Sequence, residues 1–132
     1  MKSFPFLPLS TVVKVFRVAV AGLLLIHGIT RIMNDTVGGF GEFLNGFGLQ
    51  IGFVIAWGIT IFEIVGALTL MAGYFISIIS FVFMIELLIG IFLVHIHNGW
   101  FVVGGGTGGM EYSVLLILSF FVIAATGKKQ GQ

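Results

Sequence analysis

Residues 51–97 read IGFVIAWGITIFEIVGALTLMAGYFISIISFVFMIELLIGIFLVHIH. Two long apolar runs meet here at Gly73-Tyr74, and Glu63 and Glu86 are their only formally charged residues. Each run is close to the roughly 20 residues that carry a helix across a bilayer. The stretch therefore predicts two spanning helices, 51–73 and 75–97, joined by a tight turn. Glu63 lies 11 residues before Tyr74 and Glu86 lies 12 after it. At 1.5 Å per residue both carboxylates fall about 17 Å from the turn, near the midplane. A carboxylate at that depth is costly unless it is paired, hydrated or protonated, so both are expected to face a protein interior. If they face each other, one keeps a proton or a cation lies between them.

Composition agrees with a membrane protein. The 132-residue chain is 58% hydrophobic and only 8% charged, with a mean hydropathy of +1.20. A soluble domain of this size cannot hide so much apolar surface, whereas a bilayer solvates it. The net charge of +1 says nothing about nucleic acid, and no basic block suggests it, so no nucleic-acid partner is expected. With no cysteine, the chain has no disulfide, thiolate nucleophile or iron–sulfur ligand of its own, so redox chemistry needs a bound cofactor or a partner.

Two further runs, 12–33 and 111–127, complete four predicted spans. Ala19-Val20-Ala21 mimics a signal-cleavage site, but Lys14 and Arg17 interrupt any hydrophobic region before it, so cleavage is not expected. Lys2, Lys14, Arg17, Lys128 and Lys129 cluster towards the termini, and Arg31 lies at the other side. The positive-inside rule then places both termini in the cytoplasm. The 34–50 connection carries Phe40, Phe43, Leu44 and Phe47 on one helical face, interspersed with glycines that weaken a helix. It reads as a short interfacial segment, or as a flexible loop against the membrane. The expected fold is all-α: one four-helix transmembrane bundle over residues 1–132, both termini cytoplasmic, in a bacterial inner membrane.

Helical phase selects further polar groups. His27 and Arg31 are i and i+4 on the first span. Glu86, Gly90 and His97 share a face if the third span stays α-helical to its end, which makes His97 the inward histidine and His95 the interfacial one. Glu111 opens the fourth span, where a carboxylate suits the helix N-terminus. The run GGGTGG at 104–109 is predicted to bring His97 and Glu111 towards His27 and Arg31. No Lys-Ser or Lys-Thr follows it, so it is not a phosphate loop. Glu63, Glu86 and His97 are the proton-exchange candidates, and His27, Arg31 and Glu111 the ligand-binding candidates. Each has a plain structural reading too: Glu63 and Glu86 paired with Arg17, Arg31 or hydroxyls to set helix register, His27 capping a polar interior, Glu111 as a helix-start charge. No metal is assigned, since no tight spacing such as HExxH occurs.

The ordered set His27-Gly28-x-x-Arg31, the glycine- and phenylalanine-rich 38–48 connection, Glu63-x-x-Gly66-Ala67-x-x-Leu70-x-x-Gly73, His97-x-Gly99-Trp100-Phe101 and Gly108-Gly109-x-Glu111 resembles the DoxX family of small four-helix bacterial membrane proteins. Arg31 stands where that family commonly has lysine, and Ala67 where it often has glycine. The resemblance marks His27, Arg31, Glu63, His97 and Glu111 as motif residues; Glu86 rests on the depth argument alone. It implies a subunit associated with a membrane oxidoreductase, some members being linked to thiosulfate:quinone oxidoreduction, and so a quinone in an outward-facing polar cavity. Whether such a chain is itself an enzyme stays open. The alternatives are a non-catalytic accessory subunit of a larger membrane complex and a small proton or solute pathway. Either a membrane-protein partner or a homo-oligomer is expected.

Overall fold

A computed structural model describes residues 6–127 of the chain, and among them there are helices and no strands. The helices are α1 (Leu9–Met33), α2 (Val37–Asn45), α3 (Gly52–Ala72), α4 (Ile76–Leu93) and α5 (Glu111–Gly127), with a 3-10 turn at His95–Asn98. α1, α3 and α4 are long and apolar enough to cross a membrane, and α5 is a shorter apolar helix of 17 residues. The segment 75–97 is not one α-helix. α4 stops at Leu93, four residues before the predicted end, and the chain tightens into the 3-10 turn.

The described residues group into two compact units, one ending at Tyr74 and the other beginning at Phe75. In the first, α1 packs along α3 and α2 packs against the start of α3. The buried positions of α1, Arg17, Val20, Ala21, Leu24 and Gly28, recur at three- and four-residue steps and form one stripe. The buried residues of α3 beyond its first turn include many small side chains, among them Ala56, Thr60, Gly66 and Ala67. Small residues let the two backbones approach, which is what drives helix contact where lipid removes the hydrophobic incentive. Gly28 marks the closest approach. A Cβ there would stand 2.8 Å from Ile64 Cγ1 and 3.2 Å from the Thr60 carbonyl oxygen.

α2 is a true helix, and of its apolar face Phe40, Phe43, Leu44 and Phe47, Leu44 is the buried member. Val37, Gly41 and Leu44 are buried, while Phe43 and Phe47 are exposed and meet edge to face with ring centroids 5.0 Å apart. The glycine expected to weaken the helix is its contact residue: a Cβ on Gly41 would come within 2.7 Å of Phe53 Cα. Asn45 Oδ1 accepts the Gly52 N–H at 2.8 Å, tying the end of α2 to the first turn of α3. At the other end of α3, Gly73 takes a left-handed conformation (φ +93) and closes the helix through its N–H to the Thr69 and Leu70 carbonyls. The Arg17 guanidinium lies against this cap, a positive charge at the negative end of the α3 dipole.

The second unit pairs α4 with α5. Phe83 and Phe120 stack at its centre, centroids 5.0 Å apart and planes 21° from parallel. Ser77 Oγ donates to the Ala124 carbonyl at 2.9 Å across the other end of the pair. In both units large apolar side chains project outwards, as Val65, Leu68, Ile78 and Phe121 do. That arrangement suits lipid as the surrounding solvent.

Gly28→Val is expected to destabilise the protein in detergent by about 1–3 kcal/mol, because the added side chain enters a close-packed seam. Gly22→Ala, whose Cβ meets nothing within 4 Å, should be neutral or slightly stabilising. Thermal or denaturant unfolding of the two variants beside the parent checks this, and equal losses would disprove the proposed seam.

Candidate functional site

The site in the first unit grows from the register of α1 against α3. Gly28 seats α1 beside Thr60 and Glu63, and Arg31 follows three residues later on the same helix. Arg31 Nη1 donates to Glu63 Oε2 at 2.5 Å and to Thr60 Oγ1 at 3.0 Å, and Nη2 donates to Glu63 Oε1 at 3.3 Å. Thr60 Oγ1 in turn donates to the Ala56 carbonyl at 2.7 Å. Glu63 is 4% exposed and lies 11 residues into α3, about 16 Å from its start. The guanidinium also lies over the Phe40 ring of α2, 4.8 Å from its centroid. One arginine therefore joins three helices, with a fork-shaped grip on a carboxylate that lysine cannot reproduce.

A cavity of about 390 Å³ adjoins this pair, lined by Ile26, His27, Thr30, Arg31 and Thr36. His27 is exposed on α1, one turn from Arg31. Of the five N–H donors of a guanidinium, Arg31 commits three and retains two. The cavity wall thus offers an imidazole, the edge of a guanidinium and two threonine hydroxyls. Such a set hydrogen-bonds a neutral carbonyl or hydroxyl compound, or an anion.

The other predicted residues belong to the second unit. Glu86 is half-buried on α4. His97 is exposed, because the 3-10 turn breaks the α-helical phase that would have aligned it with Glu86. His95, expected at the interface, is the histidine with a defined partner: its Nδ1 is 2.8 Å from the Gly108 carbonyl oxygen, to which it donates as the Nδ1–H tautomer. Glu111 Oε1 accepts the Val102 N–H at 2.9 Å and so closes the glycine loop on itself. Gly109 must be glycine there, since a Cβ would fall 2.5 Å from the backbone of Trp100 and Phe101. Thr60, Thr30, Thr36 and the Arg31–Phe40 contact were missed by sequence reasoning. Thr60 had a signal available, being one helical turn before Glu63 on the same face. Among the described residues no cluster of three or more His, Asp or Glu side chains is arranged to hold a metal.

Apolar helices that expose their large side chains and bury an arginine–glutamate pair define a multi-pass membrane protein. The DoxX family model matches residues 12–96, more than half of the chain, and the protein belongs to that family. Nothing among curated proteins or among solved structures matches it.

Removing one member of the buried pair leaves a charge without its partner. Arg31→Ala is expected to cost about 3–5 kcal/mol. The same change in a Glu63→Gln background should cost clearly less, because no carboxylate is then stranded. A double-mutant cycle by unfolding in detergent reads the coupling, and simple additivity would contradict it.

Proposed function

We propose that the chain is a four-span inner-membrane subunit that binds a quinone headgroup in the His27–Arg31 cavity and serves a membrane oxidoreductase. Both termini are cytoplasmic in this reading. Lys14 and Arg17 near the start of α1 support that orientation; Lys2, Lys128 and Lys129, which also support it, lie outside the described residues. The observation that carries the proposal is the cavity itself, walled by His27 and Arg31 with hydroxyls from Thr30 and Thr36. A quinone carbonyl accepts from histidine or arginine, and a site built of such donors favours the reduced, more electron-rich oxygen. Reduction to the quinol takes two electrons and two protons. The electrons come from a partner subunit or a small reductant, because the chain has no cysteine to hold a cluster. Within the first unit, His27 and Glu63 are the groups that exchange protons with the ligand; Glu86, His97 and Glu111 belong to the second unit and are assigned no step.

A second reading has its own observation. Both Glu63 oxygens are engaged by Arg31, which suits a charge pair that sets helix register in an accessory subunit.

The two readings separate on purification with native lipids. Mass spectrometry should find a near-stoichiometric quinone that is lost in His27→Ala while the protein stays folded. A stoichiometric membrane-protein partner with no small molecule, in parent and variant alike, would sink the quinone reading and leave the accessory one.

A further inference from the structure

The segment between α4 and α5 is a folded tongue. Its two arms run side by side: Met110 N–H donates to the Gly99 carbonyl at 3.1 Å, Glu111 N–H to Trp100 at 3.0 Å, Gly109 N–H to Phe101 at 3.0 Å and Gly108 N–H to Val102 at 3.3 Å. The Val102 N–H reaches Glu111 Oε1, and the Gly108 carbonyl meets His95 Nδ1 at 2.8 Å. The base of the tongue therefore satisfies much of its own backbone. Residues 98–110 carry no charge. Yet Trp100 is 48% exposed, Phe101 49% and Val103 74%.

The flanking helices are short. α4 has 18 residues and α5 has 17, about 27 and 26 Å at 1.5 Å per residue, against a hydrocarbon core of about 30 Å. Helices of that length do not lift their connection clear of the membrane. Non-helical backbone at such a depth is tolerated only when its polar groups are met within the protein, and here the arms meet them. A water-exposed loop has no need of a neutral, aromatic surface, and tryptophan is the residue enriched where lipid headgroups begin.

We infer that this tongue is a membrane-interface anchor: Trp100, Phe101 and Val103 lie against lipid at the α4–α5 end of the spans, and Glu111 positions them by holding the Val102 N–H. The inference rests on α4 and α5 both crossing the bilayer, as in the four-span reading. The occupant is the lipid surface. The tongue continues directly from two lipid-facing helices and offers no charged group for recognising a protein.

The test uses the whole chain in phospholipid vesicles. Trp57→Phe leaves Trp100 as the single tryptophan, and the chain has no cysteine to interfere with labelling. Lipids brominated near the carbonyl end of their acyl chains are expected to remove most of the Trp100 emission, and aqueous iodide little of it. Independently, a spin label on Val103→Cys should be more accessible to oxygen than to a water-soluble nickel chelate. Glu111→Ala should weaken the bromine quenching, and Glu111→Gln, which keeps an acceptor oxygen, should retain it. Emission quenched by iodide, or by neither quencher because protein covers the ring, overturns the inference. A spin label on Leu118→Cys, mid-way along α5 and exposed, separates the two levels. Lipid contact at 118 with water contact at 100 and 103 rejects the anchor alone, whereas water contact at 118 rejects the four-span reading.

Discussion

Glu63 is a carboxylate near the middle of an apolar helix, and the first unit is organised around meeting it. Arg31 supplies the opposite charge, and is itself held by the Thr60 hydroxyl, which accepts from it, and by the Phe40 ring face on the third helix. The grip is available only because Gly28 lets α1 come close enough to α3 for the guanidinium to reach both carboxylate oxygens. Hydrogen bonds and charge pairs in lipid compete with few solvent alternatives, so leaving either member alone is costly even where the pair itself contributes modestly. The register of α1 on α3, the seat of α2 and the wall of the cavity all follow from that contact.

The same constraint governs the irregular backbone. Where α2 ends, Asn45 takes up the first free N–H of α3. Where α4 ends, the glycine tongue pairs its own arms and Glu111 takes the Val102 N–H. Glycine is used in two distinct ways here. At Gly28, Gly41 and Gly109 it removes a Cβ that would strike another backbone or side chain; at Gly73 it supplies the left-handed cap of α3. At these positions glycine serves close contact and turn geometry.

The cavity beside Arg31 links this architecture to chemistry. A guanidinium fixed by a buried carboxylate cannot swing away when a ligand arrives, so its remaining donors are preorganised, and little reordering is required on binding. His27 is the complementary partner: exposed and placed one helical turn away. In the proposed quinone site, the fixed guanidinium orients the carbonyl and the imidazole adapts to it.

Hydropathy and spacing by themselves determined the helical class, the membrane setting, α5 to the residue and the other long helices to within a few residues, and the pairing of His27 with Arg31 on one face. These are legible because they depend on local properties: a run of apolar side chains and a period of 3.6 residues. Tertiary structure decided the rest. Sequence left Glu63 free to meet Arg17, Arg31 or a hydroxyl; the close approach at Gly28 selects Arg31, which also donates to the Thr60 hydroxyl. Periodicity set Phe40, Phe43, Leu44 and Phe47 as the apolar face of α2, whereas contact with α3 buries Leu44 beside Val37 and Gly41, because a glycine permits backbone contact that no hydrophobic pattern encodes. His97 was aligned with Glu86 by extending an α-helix that ends at Leu93, and the 3-10 turn gives the defined hydrogen bond to His95 instead. Glu111 was legible as a helix-start charge, but its partner lies nine residues back along a folded tongue and is chosen by the turn of the backbone. Side-chain identity travels in the sequence; the partner each side chain finds depends on how closely two backbones can come.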